Sequence, residues 1–449
     1  MFLKENCEVA SSQANRYGLT TRMSHSLVSA SALLLWVACL ALPLRADDWP
    51  QWRGPARTGH VPNGARVPGA LPIEPKVVWR LGIGEGLASP VVAGGKVFYF
   101  DNQDGKETLH AINAGDAREL WRAAVDDVFT DQQGPSGPRC TPLVDGDRVY
   151  AQSGKGELQC LSVANGRRLW HVNFTNDFGA VFFGEDTPVP GAAEHGYTAA
   201  PVIADQSLIA CVGGTNGMGV VCFEKHTGKL LWKSQNDRAA YAAPMIATLG
   251  HVEQVVCFTV EGLMGLALKD GTLLWRVPIK TPYGRNCATP VVVADWVVAG
   301  SYRAGLVGVK VFADSAGLKA ERAWVNKSVA MNFSSPVCVG RHLFALDQAR
   351  QVVCVEVETG RIAWSKQGYF TTSAEVAHAS FLVMGENILL CTDGGEIALI
   401  AVDPAACREL GRAQVCGLNW CDPAYADGRL YVRDGIKATG NLYCLELIP

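Results

Sequence analysis

The chain has 449 residues, 48% of them hydrophobic and 18% charged with both signs mixed. That excludes a dominantly disordered chain, which is poor in apolar residues and rich in one charge. The formal charge is −3, and past residue 46 the chain carries 36 basic against 41 acidic side chains. A general nucleic-acid binder, which needs a basic excess to meet phosphates, is therefore disfavoured. Gly is abundant (47 residues) and short Val-rich runs recur, which points to turns and strands rather than helices.

In chain order, the first landmark is an apolar run from Leu27 to Leu44, preceded by Arg16 and Arg22 and ending in Pro43-Leu44-Arg45-Ala46. Its uninterrupted apolar part is short for a span of about 20 residues. The pattern predicts a signal peptide over residues 1–46, cleaved after Ala46, and a periplasmic or secreted protein with no membrane span after cleavage. An uncleaved anchor is the alternative. A lipoprotein modified at Cys39 is disfavoured, because Trp36 and Val37 depart from a Leu-rich lipobox. Met1 and Met23 both remain as starts. Residues 47–75 follow, with Trp49-Pro50-Gln51-Trp52-Arg53-Gly54-Pro55. Two exposed Trp would be costly, so this extension is expected to pack on the domain that follows.

From residue 76 the chain repeats itself. Ala111…Trp121, Cys160…Trp170, Cys222…Trp232, Gly265…Trp275 and Cys354…Trp364 each place a small residue ten positions before Trp. Ala401…Gly411 keeps the spacing without the Trp, and Trp324 ends a longer copy. A second landmark follows each Trp: a small residue, then Pro90, Pro142, Pro201, Pro244, Pro290, Pro336 and Pro423, with Phe381 in the vacant place. Eight units result. Each holds three or four apolar runs separated by Gly-rich turns, the signature of antiparallel strands. The pattern predicts an all-β, eight-bladed β-propeller over residues 76–449. The last unit lacks its Trp strand, and Lys76-Val77-Val78-Trp79 is that strand without a blade, so it is expected to close blade eight.

Of 15 Cys, 13 lie beyond the leader. Cys160, Cys222, Cys354 and Cys444 share one repeat position, and Cys211, Cys257 and Cys391 sit in the preceding strand; these are expected to be core residues rather than bridges. His60, His110, His171, His226, His251 and His342 fall in turns or strand ends and are expected at the surface.

The unit Cys222-Phe-Glu224-Lys-His-Thr227-Gly228-Lys-Leu-Leu-Trp232, and its copy from Cys354 to Trp364, is similar to the tryptophan-docking repeat of the quinoprotein (PQQ) propeller superfamily. The resemblance covers about residues 76–449. With the Trp49–Pro55 stretch, Gly137–Pro142, Phe333–Pro336 and Asp427–Val432, the chain more closely resembles exported PQQ-like repeat proteins, including the propeller scaffold of the outer-membrane barrel-assembly machinery. In such propellers the segments before each inner strand line the channel mouth. Here they carry Arg139, His195, Tyr197, Arg238, Tyr241, Arg285, Asn286, Asn332, Glu375, His378, Asn419 and Trp420. Guanidinium groups fork onto carboxylates and aromatic faces stack, so this set is the candidate site for a small anionic or aromatic ligand. A solvated funnel without a ligand is the alternative.

The resemblance also implies what a PQQ dehydrogenase would need: a catalytic Asp, a calcium ion held by oxygens, and two adjacent Cys over the quinone. No Cys-Cys pair occurs, and no zinc-ligand spacing supports a metal site. The leading expectation is a non-catalytic exported scaffold without a cofactor, binding a polypeptide or another envelope component. The alternative is a quinoprotein dehydrogenase using PQQ with calcium on alcohols or sugars.

Overall fold

The computed structural model describes residues 48–131, 134–180, 195–315, 317–331, 333–370, 377–436 and 438–448. The leader lies outside these residues. Eight four-stranded antiparallel sheets follow one another around a ring, as the repeat predicts. Blades one to seven span 91–127, 143–173, 202–234, 245–278, 291–326, 337–366 and 379–414. Blade eight takes three strands from 424–446 and its fourth from Lys76–Ile83, with Trp79 opposite Cys444. The N-terminal strand therefore closes the last blade and removes an open sheet edge.

Local sequence explains the blades. In blade one, Val91–Ala93 and Lys96–Gln103 are joined by Gly94-Gly95, both at positive φ (57° and 73°). A two-residue hairpin needs that left-handed backbone, which glycine adopts without strain. The strands that follow are almost wholly buried, because each sheet is covered on both faces by its neighbours.

The outer strands of all blades but the seventh carry a Trp opposite a small residue, among them Trp121 opposite Ala111, Trp170 opposite Cys160, Trp232 opposite Cys222 and Trp364 opposite Cys354. A β-bulge follows the small residue in every case. The indole then reaches the next blade. Trp121 Nε1 donates to Val163 O, Trp170 Nε1 to Lys225 O and Trp324 Nε1 to Val357 O, all at 2.9 Å. The turn Gly of the next blade lies flat beneath the ring. A Cβ added to Gly166 would sit 2.5 Å from Trp121, and one added to Gly228 would sit 2.7 Å from Trp170. That contact, more than turn geometry alone, reserves the Thr-Gly or Asn-Gly position for glycine.

Three expectations are corrected. Gly411 pairs with Leu399, not Ala401, because the blade-seven hairpin is two residues longer. The repeat tryptophans Trp121, Trp170, Trp232, Trp275, Trp324 and Trp364 are expected to be buried between blades; Trp324 and Trp364 are only half-buried, whereas the other four are buried. His110 is not at the surface: it is 2% exposed, held by Asp101 at 3.0 Å and Glu119 at 2.9 Å and stacked on Tyr99. Cys160, Cys222, Cys354, Cys444, Cys211, Cys257 and Cys391 are buried free thiols.

Residues 48–61 run across the axis of the ring. Trp49 pairs with Val92 through N–H···O bonds of 2.8 and 2.9 Å, and Val144 N donates to Pro50 O. Arg57 donates to Ala200 O and Pro201 O, Trp52 Nε1 to Thr289 Oγ1, and Arg53 to Pro336 O. Val61 and Gly59 bracket Val383. One short segment thus bonds to the innermost parts of blades one, two, three, five, six and seven.

Candidate functional site

Hydroxyls of small residues just before three of the inner strands tie neighbouring blades. Ser89 N donates to Thr141 Oγ1 (3.3 Å), Thr289 N to Ser335 Oγ (3.0 Å) and Ala379 N to Ser334 Oγ (2.8 Å). Above this ring of small residues opens a cavity of about 280 Å³. Its floor is Trp52 of the extension. Its wall brings together six of the predicted residues, Arg139, His195, Tyr241, Arg285, His378 and Trp420, with Phe333, Cys287, Thr198, Ala243 and the hydroxyls of Ser89, Thr141 and Thr289.

Four others do not join them. Tyr197 is buried beside Phe174 and donates to Val212 O (2.8 Å). Arg238 turns to a separate surface groove, where its Nε donates to Glu261 (3.0 Å). Asn286 is fully buried, donating to Thr259 O (2.6 Å) and accepting from Ser301 (2.8 Å). Asn419 turns inward and accepts from Cys421 N (2.7 Å). Asn332 and Glu375 lie outside the described residues. The physical reason is common to Tyr197, Arg238, Asn286 and Asn419: each has a nearer partner within its own loop or blade, and a satisfied polar group gains nothing by facing the channel.

The cations at the wall are largely engaged. Asp131 holds both Arg139 (2.9 Å) and His195 (3.1 Å). Burial pulls the Arg139 guanidinium below its ordinary pKa, and Asp131 opposes that. Arg285 lies over the rings of Tyr283 and Tyr302 at 5.5 and 5.7 Å. His378 is 3% exposed, with Nε2 on Ser380 Oγ (3.0 Å), and burial lowers its pKa below 6.5. At neutral pH it is an uncharged imidazole. Trp420 and Phe333 stack at 5.5 Å. Burial pushes the Cys287 thiol up to about 12, so it offers no thiolate nucleophile.

Among the described residues these groups do not suit PQQ with calcium. The cavity wall holds guanidinium, imidazole and aromatic groups, and the carboxylate behind it, Asp131, is committed to Arg139 and His195. Among the described residues no three His, Cys, Asp or Glu side chains converge to hold a metal ion. The sequence reading missed the floor, Trp52, and the hydroxyls of Ser89, Thr141 and Thr289. A signal was available: all three hydroxyl residues immediately precede the landmark prolines.

The sequence profile of the family described as outer membrane protein assembly factor BamB matches residues 73–191 and 187–366. The BamB of Shewanella oneidensis is 23% identical over 387 residues, covering 80% of this chain and 86% of that protein. The crystal structure of BamB from Moraxella catarrhalis has a TM-score of 0.54 at 16% identity, over 83% of this chain and 97% of that one. The quinohemoprotein alcohol dehydrogenase ADHIIG of Pseudomonas putida HK5 has a TM-score of 0.59 at 11% identity, over 90% of this chain and 80% of that one. Likeness to both a scaffold and an enzyme at such low identity shows the shared propeller and nothing of activity. The profile match covers well over half of the sequence, and the chain belongs to the BamB family of PQQ-like repeat propellers.

Proposed function

We propose that the chain is an exported, non-catalytic scaffold that serves outer-membrane protein assembly by holding a polypeptide or another envelope component. The observation that carries this reading is the family match over residues 73–366. The site supports it. The extension crosses the channel floor, Asp131 at the mouth is taken up by Arg139 and His195, and the described donor set does not suit a quinone with calcium. No helix among the described residues is long and apolar enough to cross a membrane. We place the protein in the periplasm, released by cleavage near Ala46; mass spectrometry of the mature protein should find an N-terminus at or near Asp47. The decisive experiment deletes the gene in its native host and measures folded outer-membrane barrels by their heat-modifiable mobility. Their level should fall and recover when the full chain is restored. An unchanged level, or dye reduction by the purified protein after addition of PQQ and calcium, would overturn the scaffold reading.

A second reading adds a small anionic or aromatic ligand at the mouth. It is favoured by three polar atoms that line the cavity without a hydrogen-bond partner among the described residues: Ser89 Oγ, His378 Nδ1 and Trp420 Nε1. A ligand carrying both an aromatic ring and a carboxylate would stack on Trp420 and meet these groups.

A further inference from the structure

The extension carries two guanidinium groups whose charge is not neutralised. Arg53 and Arg57 are 3% and 2% exposed. Arg53 Nη2 donates to Pro336 O (2.5 Å) and Thr58 O (3.4 Å). Arg57 donates from Nη1 to Pro201 O (2.6 Å) and from Nη2 to Ala200 O (2.8 Å). Carbonyls satisfy N–H groups but bring no negative charge. Neither residue forms an ion pair among the described residues, and Asp422 acts on Arg53 only through space. Burial lowers both guanidinium pKa values to about 10, so both stay charged at neutral pH. Two buried cations this close repel each other and have lost their hydration, which is costly unless an anion is near.

Each also keeps one nitrogen without a partner among the described residues: Nη1 of Arg53 and Nε of Arg57. Both side chains line one cavity of about 120 Å³ between the extension and the inner strands of blades four to six, with Thr58, His60, Met245 and Cys338. That is several times the ~10–15 Å³ that a single water requires. A tetrahedral oxyanion matches what is missing, since guanidinium N–H groups fork onto its oxygens and its charge offsets theirs.

We propose that a small inorganic oxyanion of the phosphate class binds in this cavity, bridging Arg53 and Arg57 and locking the extension across the channel. The ligand neutralises the segment that bonds to six blades, so its occupancy stabilises the ring as a whole. The test uses the purified full chain, melted at constant ionic strength while inorganic phosphate replaces a bulky sulfonate. The wild-type Tm should rise saturably by about 3 °C or more, as ligand linkage requires. Isothermal titration should give a single phosphate per chain. Arg53→Gln and Arg57→Gln should lose both responses. Should those variants fail to fold, Val292→Phe narrows the same cavity while leaving both arginines, and it should lose the responses too. An equal rise in wild type and variants would mean general salt stabilisation and overturn the proposal. So would a wild type that neither melts higher nor takes up phosphate.

Discussion

At the rim of this propeller one solution is used again and again; at its axis hardly any is used twice. Trp121, Trp170, Trp232 and Trp324 each lie on the turn glycine of the next blade and donate to a carbonyl there. Trp364 and Trp79 keep only the carbonyl, Asp403 O and Ala114 O, with no glycine beneath the ring among the described residues, and two larger departures are instructive. Blade five has ten-residue strands, Gly305–Asp314 and Gly317–Asn326, whose turn falls too far out to receive Trp275. Trp275 Nε1 therefore donates to Gln254 within its own blade (2.6 Å). Blade eight has no closed turn at that point because its outer strand comes from the N-terminus. Its neighbour accordingly has Gly411 where the Trp would stand, and Leu71 of the extension packs there instead. The axis works otherwise: different side chains of residues 48–61 reach different main-chain atoms. Repeated apolar contact holds blades together, while single polar contacts fix what lies inside them.

The sharpest way to break the rim is to empty one dock. Trp121→Ala should cost about 3–5 kcal/mol, because a buried aromatic leaves a cavity over Gly166 as well as an unpaired Val163 carbonyl. The half-buried Trp364→Ala should cost about half of that. Denaturant melts of both variants check the ratio; equal small losses would refute the docking role.

An intermediate effect is expected between rim and mouth, at Glu107. It is fully buried and accepts from Phe129 N (3.1 Å) and Gly154 N (3.0 Å). Burial pushes its carboxyl up to about 7 despite those bonds. The folded state therefore binds the proton more tightly than the unfolded chain does. The stability this gives is present below about pH 4.5 and lost as pH rises through about 7, roughly 3 kcal/mol in all. His378 acts in the opposite sense: its lowered pKa contributes stability above about 6.5 that is lost as pH falls. Glu107→Gln should remove the loss between about pH 4.5 and 7 and leave the His378 loss as pH falls below about 6.5. Denaturation midpoints at several pH values decide this, and an unaltered slope between about pH 4.5 and 7 would count against it.

The same contrast explains what was legible in the sequence. The rim was, down to the clasp, because each dock needs the same residues at the same spacing and eight copies average out irregularities. Gly411 was misaligned because its hairpin grew by two residues while a fortuitous Ala401 kept the expected interval. The mouth was half legible. Position before an inner strand was enough to find Arg139 and Trp420. It could not foresee that Arg238 would meet Glu261, 23 residues away, or that Asn286 would be used up by Thr259 and Ser301. Such choices depend on partners brought close only by the finished ring, and they leave no periodic trace.

The smallest expected effect is at the floor, and it tests the difference between the two kinds of tryptophan. Trp52 presents its ring to the cavity and spends its only polar atom on Thr289 Oγ1 (3.0 Å). Among the described residues no turn glycine lies beneath it, so replacement by another aromatic should be mild. Trp52→Phe retains most of the apolar surface and loses one hydrogen bond, a cost of about 1 kcal/mol. The same change at Trp121 removes the Val163 bond and also shrinks the group wedged over Gly166, so it should cost more, about 2 kcal/mol. Denaturant melts of the paired variants measure the gap directly. If Trp52→Phe proved as damaging as Trp121→Phe, the floor would be a structural dock like those of the rim. The distinction between a repeated rim and a single-use axis would then fail.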